Sequence, residues 1–175
     1  MTALAPHLAT LLPTLWRFAL RLTRHPQDAE DLVQRTCVRA LERAQQWQPD
    51  TSPLSWLYAI LHSIWLNELA WRRLRQVSSL TQDEDRELDV IDPQSPNPET
   101  ALHYRQVVRA IHALPDAQRV VLLLVAVEGL SYREASEVLA VPIGTVMSRL
   151  SRARLVIGAR FANPCPLENK HVASS

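Results

Sequence analysis

Glycine is scarce in this chain: 3 of 175 residues, against a background rich in Leu, Ala and Arg, a balance that favours helix over sheet. Cysteine is scarce too. Cys37 and Cys165 stand far apart, with no CxxC and no histidine at metal spacing. That excludes a zinc site or a disulfide framework and fits a reducing cytoplasm. No apolar run reaches membrane-spanning length, and the amino terminus lacks a basic segment followed by an apolar core. A soluble cytoplasmic chain without membrane insertion is expected. The 6 histidines are scattered, and no Ser/His/Asp, Cys/His or carboxylate pairing stands near a glycine-rich loop. Neither enzymatic chemistry, a metal nor a cofactor is expected. The net charge of +1 says little as a total, because the charges are unevenly placed.

What the chain does have is apolar periodicity. Its 47% hydrophobic content supports packed cores, and its length allows one domain or two small ones. From His7 to about Arg24, Leu8, Leu11, Leu12, Leu15, Phe18, Ala19 and Leu22 recur at three- and four-residue steps, which predicts an amphipathic helix. A second helix follows His25-Pro26, with acids in its first turn, and is expected to bury Ala29, Leu32, Val33, Thr36, Ala40 and Leu41. The turn-rich loop Trp47–Pro53 leads to a third helix, Leu54 to Arg75, with a core stripe of Leu54, Leu57, Tyr58, Leu61, Ile64, Trp65 and Leu69. Between Gln76 and Glu99 the periodicity vanishes and the net charge is −6, the pattern of a linker. Helical patterning resumes from Thr100 to Leu114, then in the very apolar run Ala117–Glu128, which Gly129 closes.

The segment Leu130–Arg154 carries the sharpest signal. Ser131 precedes a short helical pattern with Glu134 at the capping-box position, and Ala135, Val138 and Leu139 share one face. Pro142 breaks the pattern, and a second helix starts near Ile143-Gly144 with Val146, Leu150 and Ala153 turned inward. Thr145, Ser148, Arg149 and Arg152 are left outside. Hydroxyls near a helix amino terminus with arginines behind them suit a recognition helix in a major groove, and the segment is read as a helix-turn-helix. An ordinary helical hairpin with a solvated basic face is the plainer alternative.

Both halves together resemble the extracytoplasmic-function (ECF, group IV) sigma factors of the bacterial sigma-70 family. The resemblance rests on Asp28-Ala29-Glu30-Asp31-Leu32-Val33-Gln34, on Ser55-Trp56-Leu57-Tyr58-Ala59-Ile60, and on Gly129-Leu130-Ser131-Tyr132 followed by Val141-Pro142-Ile143-Gly144-Thr145-Val146. It implies an all-α fold of two small helical domains. A region 2-like bundle would occupy 7–75, an acidic linker 76–99, a region 4-like helix-turn-helix domain 100–161 and a tail 162–175. It implies docking on core RNA polymerase, through its clamp coiled coil and its flap, with Asp28, Asp31, Leu32 and Gln34 at the clamp. It implies that Trp47, Asp50, Thr51, Ser52, Arg72 and Arg73 read the minus-ten promoter element. Unpaired bases need aromatic faces and the displaced backbone needs cations. Ser131, Arg133, Thr145, Ser148, Arg149 and Arg152 would then serve the minus-thirty-five element. An anti-sigma protein is the implied regulator, and the linker, as a polyanion, would occupy a basic channel of the polymerase.

Several positions depart from the family pattern: Arg35 where an acid is usual, Cys37 for an aromatic, His62-Ser63 for Arg-Asn, and Met147 for a basic residue. The rival reading is a stand-alone helix-turn-helix repressor or activator, whose first domain would serve dimerisation or ligand binding.

Overall fold

The computed structural model describes residues 5–48, 51–78 and 98–162, and the described residues contain helices and turns but no strand. Asp50, most of the predicted linker and the tail beyond Ala162 lie outside them. The first half comprises α1 (Ala5–Thr23), α2 (Pro26–Glu42), a 3-10 turn (Ala44–Gln46) and α3 (Pro53–Ser78). The second comprises α4 (Pro98–His112), α5 (Asp116–Leu122), a π turn (Leu123–Val127), α6 (Tyr132–Leu139) and α7 (Ile143–Ala162). Helix thus takes residues from both ends of the predicted linker.

Periodicity explains the first half. Leu8, Leu15, Phe18, Ala19 and Leu22 of α1 are buried, whereas Leu12 lies at the edge of the stripe and is exposed. Pro26 opens α2, where its missing N–H costs nothing. Ala29, Leu32, Val33, Thr36 and Ala40 are buried, but Leu41 is half exposed, against expectation. One residue past Ala40, it points about 100° away from that stripe. Leu57, Tyr58, Leu61, Ile64 and Trp65 of α3 close the core, and the Phe18 and Tyr58 rings meet at 4.6 Å.

The predicted helix Ala117–Glu128 is divided. Past Leu122 the bonding widens: the Glu128 N–H donates to the Leu123 carbonyl at 2.9 Å, an i→i+5 bond. Such π turns insert one extra residue and re-aim the chain beyond them. Gly129, at φ 76, leaves the turn, a conformation that suits glycine. Ser131 caps α6 as predicted: its Oγ accepts from the Glu134 N–H at 3.2 Å, and Glu134 Oε2 accepts from the Ser131 N–H at 2.8 Å. Ala140 ends α6 in the left-handed region (φ 51, ψ 43), and α7 buries Val146, Leu150 and Ala153.

The two halves touch. Helix α3 packs on α6 and α1 on α5, so one connected apolar cluster runs through both.

Candidate nucleic-acid and polymerase interface

On the face assigned to the clamp, Asp28, Asp31 and Gln34 reach the surface while Leu32 does not. It is fully buried, so it is corrected from contact residue to core residue. Its place in the Ala29/Leu32/Val33/Thr36 stripe already demanded this. The acids belong to a network between α2 and α3. Arg72 Nη2 donates to Asp28 Oδ2 at 2.7 Å and to Glu68 Oε1 at 2.6 Å, while Arg35 Nη1 stands 3.3 Å from both Asp31 Oδ2 and Glu68 Oε2. Arg35, the charge reversal noted in the sequence, thus has an internal role. Beside the network lies an open groove of about 700 Å³, lined among others by Gln34, Val38, Glu42, Asn67 and Trp71. Val38 and Trp71 are 57% and 63% exposed. Sequence reasoning passed over both, although each stands off its helix's buried stripe.

The loop expected to read the minus-ten element is knitted by its own bonds. The Trp47 indole N–H donates to the Thr51 carbonyl at 3.3 Å, and the ring meets His7 edge-on at 5.9 Å. Thr51 Oγ1 donates to the Gln48 carbonyl at 2.7 Å, and Ser52 Oγ accepts from the Ser55 N–H at 3.4 Å. Trp47 is therefore half buried and fixed in place. Of the two arginines assigned here, Arg73 is exposed, but Arg72 is occupied by Asp28 and Glu68 and lies over the Trp65 ring at 5.5 Å. Of the two, only Arg73 therefore stands outside that network.

His62 stands where the family has a basic residue. It is buried, and desolvation, aided by the Arg149 charge, pushes its pKa down to about 4. It is neutral at ordinary pH and cannot supply the missing cation.

On α7, Thr145 and Arg149 form one i,i+4 row, and Ser148 and Arg152 another, both outside the buried Val146/Leu150/Ala153 stripe. Ser148 and Arg152 are exposed, while Thr145 and Arg149 are half buried. Ser131 and Arg133 sit at the start of α6 with the Ser131 hydroxyl committed to its cap and Arg133 lightly paired to Glu137 at 3.3 Å. Binding DNA calls for a row of donors on a rigid helix, and α7 has one. Among the described residues no His, Cys, Asp or Glu cluster could hold a metal, and no helix is long and apolar enough to cross a membrane.

Residues 8–76 match the family model for sigma-70 region 2, and residues 104–156 that for sigma-70, region 4. EcfG of Rhodopseudomonas palustris, an ECF RNA polymerase sigma factor, is 32% identical over 148 residues, covering 85% of this chain and 79% of EcfG. The chain belongs to the ECF RNA polymerase sigma factors. Another member, SigE of Mycolicibacterium smegmatis, is 35% identical over 144 residues, and the chain spans 54% of its length. Among solved structures, the sigma factor RpoE of Bartonella quintana, crystallised with the anti-sigma factor NepR, superposes on this ECF factor with a TM-score of 0.77. It is 27% identical, over 93% of this chain and 98% of RpoE. The PhyRSL–NepR complex of Sphingomonas sp. Fr1 shares the fold at 23% identity and a TM-score of 0.65.

Proposed function

We propose that the chain is a promoter-specificity subunit that joins core RNA polymerase and directs initiation from a limited promoter set. The observation that carries this reading is the pairing, in one chain, of a region 2-like bundle with a capped helix-turn-helix that presents Ser148, Arg149 and Arg152. The polymerase clamp would take the α2 face at Asp28, Asp31 and Gln34 together with the apolar groove at Val38 and Trp71. The flap would take the second half. The minus-ten strand would meet Thr51, Ser52 and Arg73 around the fixed Trp47, and Arg72 once its carboxylates are drawn away. Asp50 remains assigned to this strand from the resemblance alone. The minus-thirty-five duplex would meet Thr145, Ser148, Arg149 and Arg152, with Ser131 and Arg133 toward phosphates.

The chain itself would carry out no bond chemistry, would work in the cytoplasm beside the polymerase, and would be held inactive by an anti-sigma protein. RpoE, its structural relative, was crystallised with such a protein. The region 2-like half supports this reading over a stand-alone repressor, which has no use for a polymerase-docking helix. Run-off transcription with core polymerase on a promoter library tests it. Transcripts from a sequence-defined subset are expected. Tight operator binding without polymerase, and no transcript with it, would overturn the reading.

A further inference from the structure

Beside the apolar packing of α3 on α6 and α1 on α5, the contact between the halves includes polar groups that fit one another. The Tyr58 phenol of α3 donates to Glu128 Oε2 at 2.5 Å, and Arg21 of α1 stands 3.3 Å from Glu128 Oε1. The Tyr58 side chain is fully buried and the Glu128 side chain is 9% exposed. A carboxylate this far from water depends on those two partners, and a charge-assisted bond is the stronger kind. Nearby, buried Arg119 of α5 donates to the Leu22 carbonyl at the end of α1, while its other bonds hold Leu114 and Asp116 of its own half. The π turn feeds directly into Glu128, so the extra residue sets the direction of that side chain.

Closure also sets acidic residues of α6 across from the loop assigned to the minus-ten strand. A cleft of about 380 Å³ is lined by Thr51, Ser52 and Trp56 of the first half and by Glu134, Glu137 and Val138 of α6. A phosphate entering beside the minus-ten loop would meet two carboxylates. Size makes the same point. Elements at minus ten and minus thirty-five lie about 25 base pairs apart, roughly 85 Å along the duplex axis. A compact chain of this length has a radius of gyration of about 16 Å and a diameter near 40 Å. The closed form cannot reach both.

We propose that Tyr58, Glu128 and Arg21 form a latch that closes the free chain on itself, and that core polymerase must break it before the promoter is read. This rests on the promoter-specificity reading, but the latch acts within the chain and needs no inhibitor.

The test uses the full chain with one fluorescent label on each half. Wild type should give a short inter-half distance that lengthens when core polymerase is added. Glu128→Gln and Tyr58→Phe should shift the free chain toward the long distance and speed holoenzyme assembly roughly tenfold, the effect of losing one charge-assisted hydrogen bond. Arg21→Gln, at a more exposed position, should do the same to a smaller extent and guards against a variant that misfolds. A long distance in free wild type, or distances and assembly rates unmoved in all three variants, would overturn the latch. The distance measurement needs no polymerase, so it judges closure even if run-off transcription were to reject the promoter reading.

Discussion

Arg72 of α3 holds Asp28 of α2 at 2.7 Å, joining a residue assigned to the promoter strand to one assigned to the polymerase clamp. Glu68 accepts from the same nitrogen at 2.6 Å, and Arg35 links Glu68 onward to Asp31. The surfaces assigned to docking and to strand reading therefore share one set of charges. A cation of the clamp that pairs with Asp28 would loosen Arg72 and make it available to the displaced strand.

This coupling is measurable. Asp28→Asn should weaken binding to core polymerase, and Arg72→Ala should reduce promoter melting. The pair is part exposed, so a double-mutant cycle on stability should return about 1 kcal/mol or less. Effects of the two changes on open-complex formation should be strongly non-additive. Additive effects would mean that the two surfaces work independently.

The buried position of Leu32 separates folding from docking. Leu32→Ala should cost about 2–5 kcal/mol of stability in denaturant titrations. Trp71→Ala, at an exposed site, should leave stability nearly unchanged while weakening core polymerase binding. A reversed pattern would remove the α2–α3 groove from the docking surface.

The depressed pKa of His62 sets a pH window. Its folded value of about 4 lies below its ordinary 6.5, so an open or unfolded chain binds more protons between those limits. Stability is complete above about pH 6.5, falls as pH drops, and the loss is full near pH 4, reaching roughly a few kcal/mol for this one group. His112 moves in the same direction, through burial first and then the charges of Arg24 and Arg119. Urea titrations from pH 7.5 to 4.5 should show the decline, and His62→Gln should flatten it. Arg149→Ala should raise the His62 titration midpoint observed by NMR, which separates the charge contribution from the larger desolvation.

Ala140 offers a backbone test. Its φ of 51 lies where glycine is at ease and alanine is strained. Ala140→Gly should stabilise the second half by about 1 kcal/mol, visible as a later unfolding midpoint. A destabilised variant would show that the turn depends on the alanine methyl instead.

Much of the fold is legible in the sequence. The buried stripes of α2 and α3, the Ser131/Glu134 cap and the inward face of α7 come from spacing, because each depends on residues within a few positions. The misses share a different cause. Residue type suggests burial for Leu41, but angular position on the helix leaves it half exposed, whereas Leu32 is buried as its stripe requires and only its clamp role, taken from the resemblance, is displaced. Arg72 looks free in the sequence because its partner Asp28 is 44 positions away, and the Tyr58–Glu128 bond spans 70. The π turn is hidden because an apolar run such as Leu122–Val127 reads alike at either helical pitch.

The acidic wall of the cleft, Glu134 and Glu137, has a meaning on the scale of the genome. A genome offers on the order of 10⁶–10⁹ non-specific sites, and any exposed cationic surface is titrated by them. Here the cleft sets the Glu134 and Glu137 carboxylates opposite the loop assigned to the strand. Bulk chromosomal DNA should therefore be a poor sink for the free chain, an outcome that a binding titration on non-promoter duplex would check.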